Sequence, residues 1–250
     1  MSSGPRALPA NEVLDECAST NDLARALGEA GYPHGTWISA RKQVSGRGRM
    51  GRAWSSREGN LFLSLVLRLE SKAQWTWVPL AVAAGVARHL VRERFDVRIK
   101  WPNDLWLGGA KLGGILCEAV GSREGSFIVA GLGLNCASAP EVPEQLTACL
   151  ADARPGLRAD DVRADVIEAI HESVERLVAE GTASLARDYE TMAAFPRGSF
   201  ICWDAHPEAV RVEGLGESGE LQVTDARGER LKLFAEEIRA VRTACGGFPA

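Results

Sequence analysis

The stretch "SGRGRMGRAWSS", Ser45–Ser56, decides what kind of fold this chain can have. Its Gly46-x-Gly48-x-x-Gly51 spacing is that of a dinucleotide-binding loop, which needs an apolar strand before it, a helix after it and a parallel sheet around it. "ARKQVS" precedes and "RAWSSREGN" follows, and neither has the apolar period of a strand or a helix. The stretch therefore reads as a loop, and a doubly wound nicotinamide or flavin fold is set aside. Its charge is the informative feature: Arg41 to Arg57 holds six Lys/Arg and no acid, within a chain of net charge −4. Glycines let backbone N–H groups approach a ligand, and arginines add planar, permanently charged forks for phosphate or carboxylate. Two readings stay open from the stretch alone. One is an anion clamp of Arg47, Arg49 and Arg52, disordered until an anion neutralises it. The other is a solvated basic loop.

On either side of the loop the sequence alternates between helix and strand. "STNDLARALGEAG" is a helix that Ser19 or Thr20 can cap and Gly31 ends. "GTWISAR" and "NLFLSLVLRLE" are strands, and "WTWVPLAVAAGVARHLVRERF" is a long, mostly buried helix. The segment from Val97 to Asn135 suits three or four strands, with turns at Gly108-Gly109 and "GSREG", so it forms an antiparallel meander rather than βαβ units. From Asp160 to Gly181, Val162, Val166, Ile170, Val174, Leu177 and Val178 make a helical stripe, and a second helix runs to about Phe195. After "FPRG" come short alternating runs between glycine turns, a small all-β module. The expected architecture is α+β, with domains at residues 1–195 and 196–250.

Composition excludes several function classes. The chain has 250 residues, 46% hydrophobic and 25% charged, enough for a proper core. A net acidic balance argues against general nucleic-acid binding. The six cysteines have no C-x-x-C pair and the four histidines are far apart, so no metal-ligand spacing is present. No apolar signal core opens the chain and no run reaches the ~18 apolar residues of a membrane span. A cytoplasmic protein with reduced thiols is expected, with no membrane partner.

A second segment sharpens the loop's meaning. "KWPNDLWLGGAKLGGILCE" places Lys100, Asn103, Asp104 and Lys111 around a tight turn and a hairpin. Pro102 disfavours helix at Trp101, and Asn103-Asp104 is a turn dipeptide that can aim two polar side chains at one place. Read alone, it could equally be a hairpin with incidental charges.

Taken in order, "STN", "Q-x-x-GRGRxGR-x-W", "KWPNDL…K-x-GGIL-E" and "GLGLN" resemble the biotin protein ligase family. The resemblance runs from Ser19 to Asn135, and residues 196–250 resemble that family's small C-terminal module. It implies a class II synthetase-like catalytic fold, a central mixed, mainly antiparallel sheet flanked by helices, followed by an SH3-like β-barrel. The implied reaction has two steps. Biotin carboxylate attacks the α-phosphate of ATP to give biotinyl-5′-AMP and pyrophosphate, with Mg²⁺ accompanying ATP. A lysine of a biotin carboxyl carrier protein domain then takes the biotinyl group and AMP leaves. Lipoate or octanoate transfer on the same scaffold is the runner-up, and a nucleotide- or nucleic-acid-binding module without enzyme activity is the third reading.

The resemblance also assigns roles. Lys111 is the main stabiliser of negative charge, Arg47 acts with it, and Asp104 orients or deprotonates the incoming amine. Ser19, Thr20, Asn21, Gln43, Arg47, Gly48, Arg49, Lys111, Gly114 and Gly131 fall to biotin. Arg47, Arg49, Arg52, Trp54, Asn103, Lys111, Gly133 and Asn135 fall to the nucleotide. For Gly131 and Gly133, the residues alone also fit a strand bend where another backbone approaches. The family's regulatory members carry an N-terminal helix-turn-helix domain; here eighteen residues precede Ser19, so DNA binding is not expected. An exposed sheet edge would support a homodimer, as in some relatives.

Overall fold

The structure, a computed structural model, describes residues 10–123, 125–143, 145–203, 205–236, 238 and 241–243. Cys245, one of the six cysteines, and Glu124, in the "GSREG" turn, lie outside the described residues. In chain order the elements are β1 (Glu12–Cys17), α1 (Thr20–Glu29), β2 (Trp37–Gln43), β3 (Leu61–Leu67), α2 (Val78–Arg92), β4 (Val97–Lys100), β5 (Asp104–Leu107), β6 (Ala110–Val120), β7 (Phe127–Leu134), α3 (Leu150–Ala153), α4 (Ala159–Glu180), α5 (Thr182–Met192), β8 (Phe200–Trp203), β9 (His206–Leu215), β10 (Leu221–Thr224), β11 (Arg230–Leu233) and β12 (Arg242–Thr243). They fall into two compact units, Met1–Ser71 with Leu112–Ala164, and Lys72–Lys111 with Asp165–Ala250.

The first unit is built on a mixed sheet. β1 runs parallel to β2, and the pairs β2–β3, β3–β7 and β7–β6 are antiparallel. β3 is buried along its whole length because β2 and β7 flank it and both of its faces are covered. The sequence reading did not anticipate β1, whose "EVLDEC" alternates poorly and stays partly exposed. Helix α1 lies on one face of the sheet. Its Ala24 and Leu27 join Ile38, Val66, Val120, Phe127 and Val129 in a continuous apolar cluster, each fully buried aliphatic contributing about 1.5–3 kcal/mol. Gly28 has no side chain because the Phe127 ring occupies that space.

The second unit combines helices, a hairpin and a separate sheet. Pro79 sits in the first turn of α2, where its missing N–H costs no helical bond. β4 and β5 pair antiparallel around Trp101–Asn103, and the Trp101–Pro102 peptide bond is cis. Gly108 and Gly109 both adopt positive φ, 57° and 85°, as a two-residue hairpin turn requires. In α4 the expected stripe is buried at Val162, Val166, Ile170, Val174 and Leu177, but Val178 is 53% exposed. Four-residue steps drift by about 40° each on a 3.6-residue helix, so Val178 has rotated off the stripe. Asp188 of α5 receives Arg88 of α2 at 2.9 Å and Arg176 of α4 at 2.7 Å, which ties the three helices together. The C-terminal strands form a five-stranded antiparallel sheet in the order β11-β10-β9-β8-β12, a small β module as expected. No helix among the described residues is long and apolar enough to cross a membrane.

Helices α2 and α4 approach closely at Gly85. A Cβ there would lie 2.3 Å from the Ala169 carbonyl oxygen and 2.9 Å from Ser173 Cβ. Alanine raises helix propensity by up to ~1 kcal/mol, but overpacking typically costs ~1–3 kcal/mol. Because the clash is with backbone, the steric effect dominates: Gly85→Ala should lower the unfolding free energy by about 1–2 kcal/mol, read from urea denaturation.

Candidate active site

The sheet face that carries α1 is apolar at one end and interrupted by glycines at the other. Two rows of cross-strand neighbours carry those glycines: Ile38–Ser64–Gly131–Leu116 and Ala40–Phe62–Gly133–Gly114. Side chains of the loop and of α1 fill the space over the glycines. A Cβ on Gly131 would stand 2.1 Å from Asn21 Oδ1, and a Cβ on Gly133 would stand 2.4 Å from the Trp54 indole. The close approach comes from side chains and not, as the residues alone suggested, from another backbone. Gly114 faces Gly133 across the β6–β7 ladder, so the floor continues flat into β6.

The N-terminus of α1 stands beside this floor. Ser19 has the extended backbone of an N-cap, but its hydroxyl makes no capping bond, and Thr20 does not cap either. Gln43, at the end of β2, takes over that function. Its Oε1 accepts the Thr20 backbone N–H at 2.8 Å and the Thr20 hydroxyl at 3.1 Å. The cap expected from within the helix therefore comes from a neighbouring strand. Ser64 Oγ lies 2.8 Å from Thr20 Oγ1 and 2.7 Å from Asn21 Oδ1, and its single proton serves one of them at a time. Asn21 Nδ2 donates to Glu118 Oε2 at 2.7 Å, which fixes the orientation of the amide. Thr20, Asn21, Gln43 and Ser64 form one connected hydroxyl–amide network, in which Thr20, Asn21 and Ser64 are buried. Ser64 and Glu118 were not among the residues singled out in the sequence. Ser64 had a signal, as the lone polar residue inside "LFLSLVL".

The arginine loop rises from the same place. Val44 N–H donates to the Cys17 carbonyl at 3.0 Å and Ser45 N–H to the Ala18 carbonyl at 2.9 Å, which pins the loop's base just ahead of α1. Beyond that base the loop pairs with itself. Arg47 bridges Ala53, the Gly48 N–H reaches the Arg52 carbonyl at 2.7 Å, and Trp54 N–H returns to the Gly46 carbonyl at 2.9 Å. Its tip is a single 3₁₀ turn, Arg49–Gly51, with Met50 at φ 55°. Arg49 accepts the Arg52 backbone N–H through its carbonyl, and the Arg52 side chain is exposed.

One of the loop's arginines, Arg47, is balanced by acids from outside the loop, which the sequence reading did not foresee. Arg47 grips Asp22 of α1 with both terminal nitrogens, at 3.0 and 2.6 Å, and lies 3.9 Å from Glu118. Arg47 hydrogen bonding holds the Asp22 carboxyl below its usual range, and Asp22 in turn raises Arg47. Both partners are half exposed, so the pair contributes about 1 kcal/mol or less. A phosphate or carboxylate ligand can displace such a pair. Cys17, at the loop base, is pushed up to about 11 by burial and by the charges of Asp22 and Glu16, so it stays a thiol at neutral pH.

Asn135, just past β7, is held by three bonds. Its backbone N–H donates to Leu112, its carbonyl accepts from Leu150, and its Nδ2 donates to the Ala148 carbonyl at 3.1 Å. Its Oδ1 is buried without a hydrogen-bond partner among the described residues. A buried acceptor left open in this way is suited to a ligand hydroxyl or amino group.

In the second unit, Asp104 and Lys111 form an ion pair at 2.8 Å, with side chains 16% and 15% exposed. Asp104 opens β5, and Lys111 is the second residue of β6, three before Gly114. Asn103 sits in the turn that precedes Asp104. The hairpin is fixed from behind. Ala194 N–H donates to the Ile99 carbonyl at 2.8 Å, Trp106 meets Phe195 edge-to-face at 5.8 Å, and Lys100 Nζ lies 4.5 Å over the Trp106 ring. Lys100 is thus engaged with an aromatic face of its own hairpin. Among the described residues no group of three or more His, Cys, Asp or Glu is arranged to hold a metal ion.

Residues 14–135 match the model of the biotin/lipoate A/B protein ligase family. The chain is 41% identical over 141 residues to the biotin–(acetyl-CoA-carboxylase) ligase of Paracoccus denitrificans, covering 52% of this chain and 55% of that one. It is 33% identical over 189 residues to the ligase of the same name from Mycobacterium tuberculosis, covering 71% and 68%. Across several curated relatives the chain spans about half their length or less, 42% in the bifunctional ligase/repressor BirA of Bacillus subtilis. A solved structure of the biotin protein ligase of Aquifex aeolicus in complex with biotin and ATP superposes with a TM-score of 0.76 at 25% identity, over 93% of this chain and 98% of that one. On these grounds the chain belongs to the biotin protein ligase family.

Proposed function

We propose that this protein is an ATP-dependent biotin protein ligase. It joins biotin to AMP with loss of pyrophosphate, then transfers the biotinyl group to a lysine of a biotin carboxyl carrier protein domain. The observation that carries this reading is the buried network of Thr20, Asn21, Gln43 and Ser64 beside a floor of glycines. A ureido ring presents two N–H donors and one carbonyl acceptor, and hydroxyls and amides match both kinds. An octanoyl or lipoyl chain would need an apolar tunnel there, and a donor–acceptor network left unpaired by such a chain would weaken binding. Titration calorimetry should accordingly register biotin and give no heat with lipoate or octanoate. The reverse pattern would transfer the reading to lipoate or octanoate chemistry.

The remaining assignments follow from charge. Adenylation brings a carboxylate and a triphosphate together at one phosphorus, so catalysis is mainly positioning and electrostatic stabilisation. We assign Lys111 to the α-phosphate and the biotin carboxylate. Arg47 and Arg49 close over the adenylate and shield the mixed anhydride from water. To do so Arg47 leaves Asp22, which the small value of that exposed pair permits. Trp54 presents its ring to the adenine, and the open Asn135 Oδ1 accepts from the nucleoside. Asp104 holds Lys111 before ligands arrive and orients the carrier amine afterwards. Mg²⁺ enters with ATP, carried on phosphate oxygens and water as is usual for this ion, and no protein cage for it is needed. We also propose a division at 195/196 between a catalytic domain and a C-terminal domain, and a cytoplasmic location where ATP and the carrier are available.

Two experiments test these roles. Lys111→Ala should slow biotin-dependent pyrophosphate release by ~10²–10³-fold, and a wild-type rate would remove Lys111 from the chemistry. The glycine floor allows a sharper separation. Gly131→Ala displaces Asn21 and should weaken biotin binding at least about tenfold, whereas Gly133→Ala displaces Trp54 and should weaken ATP binding with biotin binding retained. Equal effects of both variants on both ligands would break the assignment of Gly131 to biotin and Gly133 to the nucleotide.

A further inference from the structure

Two buried tryptophans of the second unit donate to the same turn. Trp77 Nε1 donates to the Glu217 carbonyl at 2.8 Å, and Trp101 Nε1 donates to the Gly219 carbonyl at 3.0 Å. The turn joins β9 to β10 and is cross-braced. Gly216 N–H bonds the Glu220 carbonyl at 2.8 Å, Gly219 N–H bonds the Gly216 carbonyl at 3.1 Å, and the Glu220 carboxylate accepts the Ser218 N–H at 2.9 Å. Glu220 is almost fully buried and also meets Lys232 at 3.4 Å, so its carboxylate is fixed. The Gly219 carbonyl is therefore a rigid acceptor.

The two tryptophans differ in what they adjoin. Trp77 leads into α2, far along the chain from any residue assigned to the reaction. Trp101 is bonded directly to Pro102, and the next two residues are Asn103 and Asp104. Asp104 in turn holds Lys111 at 2.8 Å. A buried indole must place its N–H on a partner, so the ring of Trp101 has one low-energy setting, defined by Gly219. Its backbone, and with it the Asn103–Asp104 turn, is set by the same contact.

Building on the ligase reading above, we propose that Trp101 is a positioning residue. Its bond to the Gly219 carbonyl sets the placement of Asn103 and Asp104, and through Asp104 that of Lys111. The C-terminal sheet thereby takes part in adenylation through one main-chain carbonyl of its β9–β10 turn.

The test compares Trp101→Phe with Trp77→Phe in the full chain, by steady-state pyrophosphate release and thermal unfolding. Each variant removes one indole donor to the same turn, so both should lose similar stability. A misplacement near 1 Å can cost about 10²-fold in rate, so Trp101→Phe should lower kcat by roughly 10- to 100-fold. KM for biotin should change less than kcat, because among the groups assigned to biotin Lys111 is the one placed through this contact, whereas the network of Thr20, Asn21 and Gln43 is held by its own bonds. Trp77→Phe should keep wild-type kcat. A wild-type kcat in Trp101→Phe, or an equal fall in kcat in both variants, overturns the proposal. If Trp101→Phe does not fold, Glu220→Ala keeps both indoles and unbraces the turn. It should lower kcat more than it changes KM for biotin, and a wild-type kcat there overturns the proposal as well. A folded wild-type chain that releases no pyrophosphate with biotin and ATP would instead overturn the ligase reading itself.

Discussion

The site depends on side chains that are absent. Along one face of β7, Gly131 and Gly133 leave two adjacent hollows in an otherwise apolar sheet, and Asn21 and Trp54 occupy them. Any larger residue at either position would lift those groups off the sheet. With the hollows in place, a polar network can be buried beside an apolar core without leaving its donors unpaired. Ser64 and Glu118 complete the network, one from each neighbouring strand. The floor, the network and the start of α1 therefore belong to a single packing solution.

The electrostatics of the loop follow from its attachment. A run of arginines would repel itself, yet Asp22 and Glu118 stand where they can neutralise Arg47. Half-exposed pairs of this kind hold geometry more than they add stability. In the second unit the pair of Asp104 and Lys111 is more shielded, and the hairpin that carries it is held by the Ala193–Phe195 segment and by Trp101. Two of the cationic groups assigned to the reaction, Arg47 and Lys111, thus each begin on a carboxylate of their own unit.

Much of this was legible in the sequence, though unevenly. The loop between β2 and β3, the meander from Val97, the Gly108-Gly109 turn and the small C-terminal sheet follow from periodicity and turn chemistry. The edge strand β1 was not visible, because "EVLDEC" has neither alternation nor a long apolar run. The cap of α1 was misread because a local rule places it on Ser19 or Thr20, whereas Gln43 arrives from a residue 23 positions away from Thr20. Val178 looked like core until helical drift carried it outward. Within the site, the residues with charge or a motif stood out, whereas Asp22 was hidden as an ordinary acid in a helix's first turn. The partnerships among the site residues depend on strand register, and register is invisible until the sheet is assembled.

The two bonds at the base of the loop have a mechanical consequence. Val44 and Ser45 are tethered through their backbone to Cys17 and Ala18, whereas the backbone bonds of Gly46, Gly48 and Trp54 close within the loop and the Arg47 side chain reaches Asp22 and Glu118. The pivot for any excursion of the arginines thus falls after Ser45. Gln43 sits behind that pivot, anchored in β2 and bonded to Thr20. The Gln43 amide can remain stationary as the cationic tip travels, so under the proposed roles selection and enclosure are divided between neighbouring residues of one short segment.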